Sequence, residues 1–202
     1  MNLLRTEIVQ VTGCTEPASV AYAFLTARRR LTKPFDPLTI TATLAASLEV
    51  LRNASTAVVP FLNRRGLRTV VAVGLSSRAE GFNLFPKADR LMVRKLLHRR
   101  AWLCVHLARQ KGVYVRAVLS TPTESVSVVI AGRHDEIRAI DRNGTNIFRS
   151  PPHRQQPVRI AEIMKAVAKR DRRLEDIARD FIVRQVRGNP SQPLPKRVAA
   201  LI

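Results

Sequence analysis

Four short runs of β-branched and apolar residues, 102–108, 113–120, 124–131 and 136–141, are parted by Lys111-Gly112, Thr121-Pro122-Thr123 and Gly132-Arg133. Runs of this length joined by connections this short pair with their sequence neighbours, so the spacing predicts an antiparallel meander. Asn143-Gly144 is a turn that closes a further short strand at Asn146-Ile147-Phe148. Ahead of these runs, residues 16–31 read as a helix. Thr15 can cap it, Pro17 suits its first turn, and Val20, Phe24, Ala27 and Leu31 share an apolar face. Arg28, Arg29 and Arg30 fall in its last turn, at the carbonyl end of the dipole. Leu38–Leu44 alternates apolar and threonine side chains like a half-buried strand. Val70-Val71-Ala72-Val73 is either a buried strand or part of a small-residue helix, a choice that periodicity leaves open. Residues 87–100 read as a basic helix with Leu91, Leu96 and Leu97 inward.

The loop from Ser150 to Pro157 is the best internal boundary. Beyond it, Ile160, Ile163, Met164 and Val167 make one helical stripe; Leu174, Ile177, Ala178, Phe181 and Ile182 make another. The fold class expected is α+β: an N-terminal helix, a mixed middle region, an antiparallel β-meander and a C-terminal helix pair. Residues 1–150 form the domain, 158–189 the helix pair packed on it, and 190–202 an extended tail.

A chain of 202 residues that is 46% hydrophobic can bury a core of its own. Its formal net charge of +20 asks for an anionic partner. Nucleic acid is one, because Lys and Arg neutralise phosphate. Against it, the basic residues lie in short scattered clusters, and aromatics are 5%, too few for base-stacking platforms. An acidic protein partner, or an arginine-rich proteome, accounts for the charge as well. Two cysteines cannot build a disulfide framework, and Met1–Gln10 lacks the pattern of a signal peptide, so a cytoplasmic protein is expected. No run of eighteen apolar residues suggests a membrane span.

Chemistry concentrates at Gly13-Cys14-Thr15-Glu16-Pro17. Cys14 precedes a helix whose first amides are unpaired and whose dipole is positive there, a placement that lowers a thiol pKa. The same residue also fits a small inert cysteine. Glu16 either accepts from first-turn amides or helps bind a substrate ammonium. His134, after the last long run of the meander's third strand, serves as a base or substrate hydrogen-bond partner, or is a turn residue. Cys104 lies in an alternating run and reads as a core position. No CxxC, HExxH, Walker or GxSxG pattern is present.

Gly13–Pro17 followed by the small-residue stretch Ala18–Ala23 resembles the signature of the iron–sulfur L-cysteine desulfidase family, related to the alpha chain of bacterial L-serine dehydratase. Arg52-Asn53-Ala54, with Gly66–Gly74 after it, looks like that family's Lys-Asn-Gly block. Gly132-Arg133-His134-Asp135-Glu136 looks like its Gly-Gly-His-Thr-Asn. The likeness covers the family's N-terminal half. It implies a lyase that eliminates sulfide and ammonia from L-cysteine, or acts on L-serine, by means of a [4Fe–4S] cluster with one open iron. On that likeness Cys14 is a cluster ligand or the catalytic thiol, His134 is catalytic, and Thr15, Glu16 and Asn53 bind substrate. Two cysteines cannot supply three ligands, so a complementary subunit carrying the others is implied. Ala54, Asp135 and Glu136 depart from the family pattern. The competing expectations are a non-catalytic basic protein binding RNA or an acidic protein, and a stand-alone thiol enzyme using Cys14 with His134.

Overall fold

A computed structural model describes residues 11–33 and 35–150, together with Ala168, Asp176, Arg179 and Val183, each of which is helical. The helix pair expected over 158–189 and the tail at 190–202 otherwise lie outside the described residues. Gln10–Pro152 forms one compact unit. Among the described residues it holds four helices and one six-stranded sheet, an α+β fold. The helices are α1 (Thr15–Arg29), α2 (Leu48–Thr56), α3 (Leu67–Ser76) and α4 (Arg90–His98). The strands are β1 (Thr41–Ala46), β2 (Leu103–Leu107), β3 (Tyr114–Ser120), β4 (Ser125–Ala131), β5 (Ile137–Arg142) and β6 (Thr145–Arg149).

The sheet order is β2-β1-β3-β4-β5-β6. From β3 to β6 each strand pairs antiparallel with the next, the expected meander. The first run differs. It is not part of the meander but an edge strand parallel to β1, which inserts between it and β3. Parallel strands need a long crossover, and α2, α3 and α4 supply it between β1 and β2. The connection 108–113 only has to step over one strand, roughly 10 Å, well within the reach of six residues. A short turn sequence therefore joined two strands that are not neighbours.

Alternation along the strands buries one face of the sheet. Ala42, Leu44 and Ala46 of β1 are buried, as are Val115, Ala117 and Leu119 of β3 and Val126, Val128 and Ile130 of β4. Helix α1 packs on that face over β3 and β4, between α2 and α3. Pro17, Ala18, Ser19, Val20, Ala21 and Ala23–Ala27 are all buried, so the helix is enclosed on nearly every side. The sequence suggested a single apolar stripe. Small residues around the rest of the helix are what admit neighbours on all sides.

Residues 67–76 resolve as helix α3, buried from Thr69 to Ser76. The arginines at the end of α1 do not serve their own carbonyls alone. Arg28 donates to the carbonyls of Leu75 (2.6 Å) and Ser77 (2.7 Å), and Arg29 to that of Ala79 (2.5 Å). Arg28 thus caps the C-terminus of α3, Arg29 holds the chain just beyond it, and both tie it to α1.

One buried carboxylate fixes the chain after α1. Glu124, in the β3–β4 turn, accepts from the amides of Thr32 (2.9 Å) and Lys33 (3.1 Å) and from the Thr32 hydroxyl (3.1 Å). Burial pushes this carboxyl up, but those donors and Arg142 outweigh it and hold it below its ordinary value. Glu124→Ala leaves the two amides unpaired and is expected to cost about 2–3 kcal/mol, read as a lowered denaturant midpoint. In the parent chain the stabilisation from Glu124 is present above the ordinary carboxylate pKa and is lost as the pH falls through the depressed folded value; the variant lacks that slope.

Candidate functional site

The chain approaches α1 through Gly13, whose φ is +93°. A Cβ there would stand 2.9 Å from Pro60 Cγ and 3.8 Å from Phe85 Cε2, so both the backbone angle and the space require glycine. Asn83 accepts from the Thr12 amide at 3.2 Å and holds the approach in place. Cys14 is then the N-cap residue, extended and exposed, with no side-chain cap bond; the helix starts at Thr15 itself. Thr15 is thus the first helical residue and not the cap.

Glu16, in the first turn, is the centre of the site. Its Oε2 accepts from the Cys14 thiol at 2.8 Å and from the Thr15 hydroxyl at 3.2 Å. Its Oε1 accepts from Asn53 Nδ2 at 2.9 Å and lies 4.0 Å from His134 Nε2. Asn53 comes from α2 and His134 from the turn between β4 and β5. All five residues singled out in the sequence, Cys14, Thr15, Glu16, Asn53 and His134, therefore meet around one carboxylate.

The electrostatics differ from the sequence expectation. Although Cys14 is exposed, partial loss of hydration at its sulfur pushes the thiol up, and its hydrogen bond to Glu16 pushes it further, while the amides of Glu16 and Thr15 pull only partly the other way. The net direction is upward. Lost hydration and, after it, the anionic acceptor Glu16 together outweigh the first-turn amides, so the direction is opposite to that of a helix-activated thiolate. Glu16 answers in the opposite sense. Burial raises its carboxyl, yet the donors from Cys14, Asn53, its own amide and Thr15 bring it down to about 2.

The departures from the resembled motif find local explanations. Ala54 is buried inside α2, where helical backbone has no need of glycine. Asp135 pairs with Arg133 at 3.4 Å and Glu136 with Arg138 at 3.1 Å. Asp135 also helps to raise the half-buried Tyr22 hydroxyl, after burial itself. Asn83 and Phe85 support the site without belonging to any motif, whereas Pro60 falls in the block between Asn53 and Gly66 that took part in the resemblance.

The donor set does not make a [4Fe–4S] site by itself. Cys14 is the one thiol present. Cys104 is exposed on β2, aligned with Thr43, on the sheet face opposite the helices. Its reading as a core position is corrected accordingly: β2 is the edge strand of the described sheet, and Cys104 is exposed there. Among the described residues no three His, Cys, Asp or Glu are arranged to hold a metal ion.

No protein-family profile matches the chain. It is similar to the UPF0597 protein of Vibrio parahaemolyticus, 27% identical over 173 residues that make 83% of this chain and 39% of that protein. A UPF0597 protein of Nitratidesulfovibrio vulgaris is 31% identical over 71% of this chain and 33% of its own length. One of Clostridium botulinum is 24% identical over 91% of this chain and 44% of its own. The chain spans about two-fifths of the length of the curated relatives it matches. These names overturn the resemblance drawn from the motifs: the relatives are UPF0597 proteins, with no iron–sulfur or serine dehydratase naming among them. A five-residue motif and two looser blocks were too short to assign the family. No helix of the described residues is long and apolar enough to cross a membrane.

Proposed function

We propose that this chain is one half-module of a β-elimination lyase acting on L-cysteine, with sulfide, ammonia and pyruvate as products, or on L-serine, and that a complementary subunit supplies the rest of the active site. Support comes from the chemistry of the Glu16 cluster and not from a family name. The single observation that carries the proposal is the convergence of Cys14, Asn53 and His134, from three separate segments, on one carboxylate held at about 2.

An amino acid brings an ammonium, which an ionised carboxylate with fixed donors behind it suits well. Elimination then needs a base at Cα and a proton donor at the leaving group. His134 takes the Cα proton, the electron pair enters the Cα–Cβ bond, and the bond from Cβ to sulfur or oxygen breaks. The Cys14 thiol delivers its proton to the departing atom. The resulting aminoacrylate tautomerises to an imine and takes up one water, giving pyruvate and ammonia. Proton transfer from His134 to Cys14 restores both. No step runs through a cluster; were a [4Fe–4S] group completed by the other subunit to bind here, Cys14 would hold it as a thiolate, a role that replaces and does not accompany its role as proton donor. We place the activity in the cytoplasm, whose reducing poise keeps thiols free.

Reconstitution tests this. The full chain, co-produced with a polypeptide corresponding to the three-fifths of a UPF0597 relative that it does not span, is expected to release sulfide and pyruvate from L-cysteine in equal amounts. His134→Ala should lower that rate at least about a hundredfold. An assembled, folded pair that releases neither product, and no pyruvate from L-serine, ends the proposal. A second reading is favoured by the +20 charge alone: a non-catalytic protein binding RNA or an acidic protein. Steep, salt-dependent retention on nucleic acid would support it.

A further inference from the structure

The outer edge of β2, which no other described strand pairs, carries a second pair of ligand-type side chains, remote from the Glu16 cluster. Cys104 Sγ lies 3.2 Å from His106 Nε2, and both residues are exposed. Two bonds to one tetrahedral zinc, about 2.3 Å from sulfur and about 2.05 Å from nitrogen, put those atoms roughly 3.5 Å apart. The pair is within a few tenths of an ångström of chelating geometry already. We propose that Cys104 and His106 are half of a structural zinc-type site, completed by the same two residues of a second copy across the β2 edge.

The backbone fixes how two copies would meet. The Trp102 carbonyl accepts from Ala42 at 2.7 Å and the Ala108 amide donates to Ala46 at 2.9 Å, so the even-numbered residues of β2 turn their backbone groups toward β1. Leu103, Val105 and Leu107 therefore turn theirs outward, away from β1. Antiparallel pairing of two such edges about a two-fold axis at Val105 joins Val105 to its counterpart by two hydrogen bonds. Cys104 of each copy then stands opposite His106 of the other, as a non-hydrogen-bonded pair. That is the closer kind of cross-strand pair, with Cα atoms about 4.5 Å apart. All four ligands share the sheet face that carries Thr43 and Ala45, over the axis. On the other face, Val105 and Leu107 are 40% and 64% exposed and would cover one another.

The balance is simple: one Zn²⁺ binds two thiols and two neutral imidazoles and releases two protons. Isologous pairing makes the four-ligand set from two ligands per chain. The charge of +20 on each copy opposes association, but physiological salt screens charges beyond about 8 Å, so a buried metal at the axis decides at that ionic strength.

The test uses the full chain with Cys14→Ser, so that Cys104 is the sole thiol, in reductant at physiological salt. Cobalt(II) is expected to bind at one ion per two chains with thiolate charge-transfer and tetrahedral d–d absorption, and zinc to produce a dimer in sedimentation that chelator reverses. Cys104→Ser and His106→Ala should each abolish both. Val105→Pro keeps the ligands, removes the outward amide at the axis and is tolerated on an edge strand; it should abolish the dimer. Binding at one ion per chain without dimerisation, cobalt spectra indifferent to Cys104→Ser, or a dimer indifferent to Val105→Pro overturns the proposal. None of these readouts involves the Glu16 cluster, so the proposed activity stands or falls separately.

Discussion

Gly74→Ala is expected to destabilise the domain by on the order of 3 kcal/mol, lowering its melting temperature by about 10 °C. Gly74 is in the interior of α3, where glycine is intrinsically worse than alanine by about 0.5–1 kcal/mol. Propensity alone therefore predicts that alanine stabilises. The packing predicts the reverse, because a Cβ at Gly74 would lie 2.2 Å from the carbonyl oxygen of Ala21 and 2.9 Å from its Cα. The atoms in the way are backbone of α1, which is held by α2, by the sheet and by the arginine bonds to the end of α3 and the chain after it. Relief by more than an ångström means moving one helix off the other. The two effects differ in sign, so a thermal melt decides between them, with Gly81→Ala as the control. Nothing lies within 4 Å of a Cβ there, and that change should stay within about 0.5 kcal/mol. A Gly74→Ala chain that melts at or above the parent temperature would show that α1 and α3 do not touch at this point.

That close approach marks the limit of what the chain discloses by inspection. Helix α1 was legible because Pro17 marks its first turn, Arg28, Arg29 and Arg30 its last, and an apolar face runs between them. Strands β3 to β6 were legible because each pairs with its neighbour through a turn that carries its own residues. Strand β2 was misplaced because its partner, β1, is sixty residues earlier, and no local pattern encodes a parallel pairing. Residues 70–73 were ambiguous because a fully buried element has no period to read. At the site, the five residues were recognisable as candidates from local motifs. The thiol's pKa was misjudged because the helix dipole is legible from position, whereas the bond from Sγ to Glu16 depends on a rotamer. Asn83 and Phe85 shape the approach to Cys14 from segments that no motif connects to it.

The second large effect follows from that bond. In a Cys104→Ser background, alkylation of Cys14 by iodoacetamide should climb with pH through 9 without a plateau, because only the thiolate attacks and the folded thiol titrates above its ordinary value of 9.0. Glu16→Gln removes the anion that accepts the thiol proton and opposes the thiolate. Burial, the larger cause, remains, so the pKa falls only part of the way. Each unit of that fall is a tenfold gain in thiolate, and a rise of about 3- to 10-fold in alkylation rate at pH 8 is expected. The same substitution acts on stability at the opposite end of the pH scale. Glu16 is depressed to about 2 in the folded chain from an ordinary value of 4.5. Its contribution is therefore present above about 4.5 and lost as the pH falls toward about 2, and Glu16→Gln erases that part of the acid slope. The two measurements constrain one interaction from both partners. If Cys14 alkylation in the parent levels off below pH 8, the helix dipole has won and the thiol is an activated one. If Glu16→Gln slows alkylation, the carboxylate was acting as a base toward Cys14, and the thiol could not be the proton donor that the proposed elimination requires.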